Sequence, residues 1–123
     1  MNHFESQEDY LERILMLSKE KKIVRAIDIA NSMNYSKPSV SIALKKLKNL
    51  ELINVDETNG SITLTTKGHQ IASSIYERHK IISEFLISIG VDEETALIDA
   101  CKLEHVLSPI SFDKIKELLQ KNK

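Results

Sequence analysis

Midway along this chain the hydrophobic period changes from a helical 3.6 to a strand-like 2, and that switch limits the folds open to it. Val40, Ala43, Leu44 and Leu47 recur at i, i+3, i+4 and i+7, one apolar stripe along a helix of about Lys37 to Leu50. Ile53 and Val55 then alternate with polar residues, as do Ile62 and Leu64, with Asn59-Gly60 between the two runs. Both turn residues accept positive φ, so the pattern predicts a β-hairpin. Upstream, Arg25 to Met33 predicts a short helix with Ile27, Ala30 and Met33 inward. Asn34-Tyr35-Ser36 predicts a turn in which Ser36 caps the next helix, with Pro38 tolerated in its first turn. A first helix over about Gln7 to Lys19 has Ser6 and Asp9 spaced as a capping box. Its Tyr10, Leu11, Ile14, Leu15, Leu17 and Ser18 fall on one side and Asp9, Glu12 and Met16 on the other. Helix, helix, turn, helix and hairpin is the order of a winged helix-turn-helix module.

The second half reads as helical throughout. A helix from about Thr66 to Ile89, stopped by Gly90, carries Ile71, Ile75, His79, Ile82, Leu86 and Ile89 in one stripe. His79 thus occupies a position where the pattern calls for an aliphatic residue. Asp92 caps a helix over Glu93 to Leu107 with Ala96, Ala100, Leu103 and Leu107 inward. A last helix, Phe112 to Gln120, is capped by Ser111 and buries Phe112, Ile115, Leu118 and Leu119. The fold class is mainly α with a small β-hairpin, divided at about 1–65 and 66–123.

Composition narrows the function classes. With 123 residues, 41% apolar and 28% charged, the chain has globular rather than disordered make-up. No apolar run reaches the ~20 residues of a membrane span, and the polar, acidic start is no signal peptide. A single cysteine among 123 residues makes no internal disulfide, which fits a reducing cytoplasm. Net charge is −1, so any nucleic-acid surface must be local. Lys37, Lys45, Lys46 and Lys48 supply one, with no acid between Asp28 and Glu51.

Placed after a helix and turn and before a hairpin, the polar face of the Lys37 helix is positioned to enter a major groove. Ser36, Ser39 and Ser41 would bond phosphates or base edges. Lys45 and Lys46 would pair with phosphates, and Ile42 would touch a thymine methyl. Lys37 and Pro38 complete that surface. Asp56 and Glu57 in the hairpin would repel phosphates, so the wing is expected to contribute weakly near them.

Cys101, Glu104 and His105 form a Cys-x-x-Glu-His run that brings thiol, carboxylate and imidazole to one helix face, a donor set for a transition ion. Each element also has a plain alternative. The run suits a helix bordering a core, with a small cysteine inward and two polar residues exposed. Asp9 and Glu12 suit the dipole of a first helical turn, and His79 suits a hydrogen-bonded core histidine. His3 and His69 read as surface residues. Catalysis finds no support: only three glycines are present, so there is no glycine-rich oxyanion or phosphate loop. No small organic substrate is implied.

These residues resemble the diphtheria-toxin-repressor family of metal-dependent transcriptional regulators, including its manganese transport regulator branch. The matching stretches are Glu8-Asp9-Tyr10-Leu11-Glu12, Tyr35 to Ser41, Leu64 to Gly68, Glu77-Arg78-His79 and, most specific, Asp99 to Ser108. The resemblance implies an operator-binding homodimer, with an N-terminal winged helix and a helical second domain that dimerises and supplies metal ligands. Carried over by position, it implies ligand roles for Asp9, Glu12, His79, Cys101, Glu104 and His105. Asp9 and Glu12 look like the manganese regulators, in which a carboxylate takes the place of Cys101. Cys101 with Glu104-His105 looks like the iron regulators, in which a thioether takes the place of Asp9. Ser83 and Leu97 stand where the iron branch places an acid and a histidine of its ancillary site. The chain also ends before the SH3-like third domain of longer iron regulators.

The expected mechanism is mutual repulsion of Asp9, Glu12 and Glu104, cancelled by Fe(II) or Mn(II), one or two ions per chain, to control operator grip. The thiolate tilts the expectation toward iron. Two rivals remain open: a winged-helix regulator answering to a non-metal ligand, and a metal-binding domain with no DNA affinity.

Overall fold

A computed structural model describes residues 3–121, with side chains from Gln7 onward. Its elements in chain order are α1 (His3–Glu20), α2 (Ala26–Met33), α3 (Lys37–Asn49), β1 (Ile53–Val55), β2 (Ile62–Leu64), α4 (Thr66–Ser88), α5 (Glu93–Val106) and α6 (Pro109–Lys121). The residues cluster into two compact units that meet in sequence at Ser73 and Ser74, inside α4. No described helix is long and apolar enough to cross a membrane.

In the first unit α1 packs on α2, α3 and β2, and α3 packs on β1. Leu11, Ile14, Ile29, Val40, Leu47 and Ile53 are the largest of its fully buried side chains. The expected α3 stripe is buried at Val40, Leu44 and Leu47, with Ala43 half-buried. Ser36 caps α3, its Oγ accepting from the Ser39 amide at 3.3 Å. Asn34 takes the left-handed conformation at φ 58° that closes α2.

The expected hairpin is present, pairing Ile53 with Leu64 and Val55 with Ile62, but only one of its two expected turn residues uses its tolerance of positive φ. Only Gly60 takes positive φ, at 73°, while Asn59 does not. The strands stop early because Asp56 organises a longer loop. Its Oδ1 accepts from the Thr58 amide and hydroxyl at 2.9 and 2.6 Å, and its carbonyl accepts from the Gly60 amide at 2.7 Å. The two Thr58 bonds, the hydroxyl's first, hold the Asp56 carboxyl below its ordinary pKa. Glu57 pairs with Lys48 of α3 at 2.8 Å, so its charge is partly answered by that helix.

Several helix boundaries and faces differ from expectation. Since α1 already begins at His3, Ser6 lies inside it and cannot cap it. His3 itself falls outside the described side chains. On α1 the stripe from Tyr10 to Leu17 is buried, but Ser18 is exposed and donates to the Leu15 carbonyl. Met16 is half-buried, and Glu12 is buried on the face expected to be wet. Ile27 is 41% exposed; Ile29 fills the α2 core position instead. Ile89 and Leu118 are also exposed. α6 starts at Pro109 because Ser108, not Ser111, is its cap: Ser108 Oγ accepts from the Ser111 amide at 3.2 Å.

The second unit centres on Ile82 of α4, Ala100 of α5 and Phe112 of α6, with Ile81, Leu86, Leu103 and Leu107 packed around them. Asp92 caps α5 through the Thr95 amide at 3.0 Å, as its position predicts.

Candidate metal centre and nucleic-acid interface

The buried row of α5 is Ala96, Ala100 and Glu104, at i, i+4 and i+8. Two alanines allow close approach of α4, and the third position puts a carboxylate where a core side chain would sit. Glu104 is 1% exposed, which removes the plain alternative in which it is a solvated residue. Opposite it, the α4 stripe presents His79 between Ile75 and Ile82. His79 Nδ1 lies 3.1 Å from Glu104 Oε2 and 3.7 Å from Cys101 Sγ. One donor atom from each of His79, Cys101 and Glu104 lies within 4.8 Å of the others.

The second carboxylate oxygen, Glu104 Oε1, is fully buried and has no hydrogen-bond partner among the described residues. The His105 Nε2 atom stands 3.4 Å from it without the alignment of a hydrogen bond. A buried ionised oxygen left unsatisfied is costly. An imidazole from α4 with a thiol and a carboxylate from α5 form a donor set that a divalent cation satisfies. The residues therefore fit a transition ion. Cys101 is exposed, so the cluster opens to solvent on its sulfur side.

The hydrogen bond to Cys101 and then the Glu104 carboxylate raise His79 from 6.5 to about 10. With no ion present, the imidazolium supplies the positive charge that Glu104 requires. Any cation binding here displaces that proton.

Asp9 and Glu12 lie one turn apart on α1, in the first unit. Asp9 is half-buried and Glu12 buried. Of the ancillary positions, Ser83 is buried and donates to the Lys80 carbonyl at 3.0 Å, and Leu97 is 40% exposed. His69 is exposed, as expected for a surface residue, and its Nδ1 lies 3.3 Å from Ser73 Oγ. Sequence reasoning missed Arg78, whose guanidinium donates to the Glu104 and Leu107 carbonyls at 3.1 and 2.8 Å and lies 5.0 Å over the Phe112 ring. Its only sequence signal is its place beside His79.

All eight residues expected to face DNA are exposed: Ser36, Lys37, Pro38, Ser39, Ser41, Ile42, Lys45 and Lys46. Ile42 is 61% exposed, a large aliphatic in a row of lysines and serines. Ser36 and Ser39 hydroxyls bond each other at 2.9 Å.

A helix-turn-helix with a short wing, joined to a helical unit carrying a His-Cys-Glu cluster around a buried carboxylate, defines a metal-responsive DNA-binding regulator. Comparisons with known proteins give the lineage. Residues 3–60 match the iron dependent repressor N-terminal DNA binding domain, and residues 65–123 match the metal binding and dimerisation domain of the same repressors. The chain belongs to the iron-dependent repressor family of metal-dependent, DNA-binding transcriptional regulators. It is 40% identical to an uncharacterised HTH-type transcriptional regulator of Methanocaldococcus jannaschii, over 97% of this chain and 96% of that protein. It is 39% identical to the HTH-type regulator MntR of Bacillus subtilis, over 94% of this chain and 80% of that one. The structure of the manganese regulator SloR superposes with a TM-score of 0.81 at 32% identity, covering 93% of this chain and 53% of SloR. This chain thus spans about half the length of SloR.

Proposed function

We propose that this chain is a cytoplasmic repressor of genes for Fe(II) or Mn(II) uptake, which binds its operator as a homodimer when a divalent ion is held by Asp9, Glu12, His79, Cys101, Glu104 and His105. Residues 1–65 serve the DNA and residues 66–123 the ion and the dimer contact. The observation that carries the reading is the convergence of His79, Cys101 and Glu104, with one buried carboxylate oxygen left without a hydrogen bond.

A bound ion would supply the positive charge that lets several carboxylates occupy one site. Glu104 would hold the ion through its carboxylate and His79 through its neutral imidazole. Cys101 adds a soft donor that favours Fe(II), Co(II) or Zn(II) over Mn(II) relative to an all-carboxylate set. Asp9 and Glu12 bring α1 under the control of ion supply. α3 offers Lys45 and Lys46 to phosphates and Ile42 to a base edge. In a dimer, two such helices address successive major grooves about 34 Å apart. Coupling between ion and operator is expected at ~1–3 kcal/mol, and it is reciprocal.

Fluorescence anisotropy on a candidate uptake-gene promoter, titrated with Mn(II), Fe(II), Co(II) and Zn(II), tests the reading. Operator affinity should rise about 5- to 150-fold with the effective ion. Binding unchanged by a chelator would refute ion control.

A further inference from the structure

Between α1 and α3, within the first unit, lies a concavity of about 300 Å³ lined by Gln7, Tyr10, Ser39, Ile42 and Lys46 above an apolar floor, with no carboxylate in its wall. Three of these residues, Ser39, Ile42 and Lys46, recur at i, i+3 and i+7 along the exposed face of α3. The concavity is therefore continuous with the surface assigned to DNA. Gln7 and Tyr10 come from α1, which that assignment does not use.

Tyr10 is the informative residue. It is 4% exposed, its ring packs on Tyr35 at 5.9 Å between centroids, and its phenol has no hydrogen-bond partner among the described residues. Its oxygen is not among the fully buried unpartnered atoms, so it is open to the concavity rather than sealed in the core. Here it lines a concavity whose other polar groups are an amide, a hydroxyl and an ammonium. Such a donor-rich wall without acids selects an anion with several acceptor oxygens.

We propose that this concavity seats a backbone phosphodiester of the operator, with Gln7 and Tyr10 of α1 donating to its oxygens beside Lys46 of α3. The inference rests on the DNA-binding reading and extends it to a second helix. The α1–α3 notch positions the duplex and α3 reads it. Because a phosphodiester is the same at every base step, the contact carries affinity and register rather than sequence preference. A free phosphate shares the chemistry, but the continuity with the α3 face commits the site to DNA.

The test uses the full chain with saturating Mn(II) and a fluorescein-labelled mixed-sequence duplex, in anisotropy titrations across a salt series. Tyr10→Phe removes only a hydroxyl and keeps the packed ring, and Gln7→Ala truncates a half-buried side chain, so both variants should fold. Each is expected to weaken binding about 5- to 10-fold with the salt slope unchanged, because both donors are neutral. Lys46→Ala should weaken binding and lower the slope by about one. Mn(II) affinity, read by competition with a fluorescent chelator, should match wild type in both α1 variants; a parallel fall would overturn the proposal. If Lys46→Ala weakens binding while Tyr10→Phe and Gln7→Ala do not, the notch is no phosphate seat and the α3 reading stands. If all three bind as wild type, the α3 reading fails as well. A saturable thermal shift with inorganic phosphate that Tyr10→Phe abolishes, without change in duplex binding, would assign the notch to a small anion and overturn the proposal.

Discussion

Changing Glu104 to glutamine isolates the charge at the heart of the cluster. The substitution keeps the side chain's volume and an acceptor for His79, whose Nδ1 stands 3.1 Å from the carboxylate, but removes a buried negative charge. The rise of His79 from 6.5 to about 10 amounts to about 3–5 kcal/mol favouring its protonated form. The Cys101 hydrogen bond is the largest cause and the Glu104 carboxylate follows, so Glu104 accounts for on the order of 2 kcal/mol. A raised folded-state value means the stabilisation is complete below the unfolded value near 6.5 and fades as pH rises through about 10. Metal-free Glu104→Gln should therefore be about 1–2 kcal/mol less stable than wild type at pH 7, with the gap closing towards pH 10. Its His79 should titrate on the order of one unit lower. Histidine Cε1 proton NMR titrations, with urea unfolding at neutral and alkaline pH, measure both. A wild-type His79 midpoint near 6.5, or an unchanged midpoint in the variant, would refute the account of the pair.

Cys101→Glu should move ion preference toward Mn(II) relative to Co(II) and Zn(II), because a hard oxygen replaces a soft sulfur; competition against a calibrated chelator reads the order of affinities. Lys45→Ala with Lys46→Ala should lower the slope of log affinity against log salt by about two on duplex DNA, while metal affinity holds. Gly68→Ala would set a Cβ about 2.0 Å from the Leu52 carbonyl oxygen. Backbone cannot step aside as a side chain can, so a loss of about 1–3 kcal/mol or more is expected in urea unfolding.

Elements whose residues serve one purpose were the ones legible in sequence. The α3 stripe, the Ser36 and Asp92 caps and the hairpin follow from local spacing, and each local preference agrees with the packing. Ile27, Ile89 and Leu118 lie where an apolar period continues past the surface it can reach, and sequence alone does not show where a neighbouring helix ends. The length of the hairpin loop was not legible, because Asp56 forms a side-chain-stabilised loop in which Gly60 alone takes positive φ. At the candidate site, His79 stood out because it interrupts an aliphatic stripe. The burial of Glu104 did not, since carboxylates are rarely inside and only the small Ala96 and Ala100 hint that α4 comes so near. The Tyr10 phenol left no trace at all, because an apolar stripe reads its ring and is blind to its oxygen.

Arg78 settles how ready the helical unit is before any ion arrives. Its guanidinium reaches the carbonyls of Glu104 and Leu107 together while stacking on Phe112, so the last turn of α5 is fastened at the residue that carries the key carboxylate. Little of that turn is left to freeze on capture, and the unit should load quickly and with a small entropy change. A lysine at position 78 keeps the charge but has neither the planar fork nor the flat stacking face. That exchange would leave a looser cradle, slower to fill, with every ligand still in place.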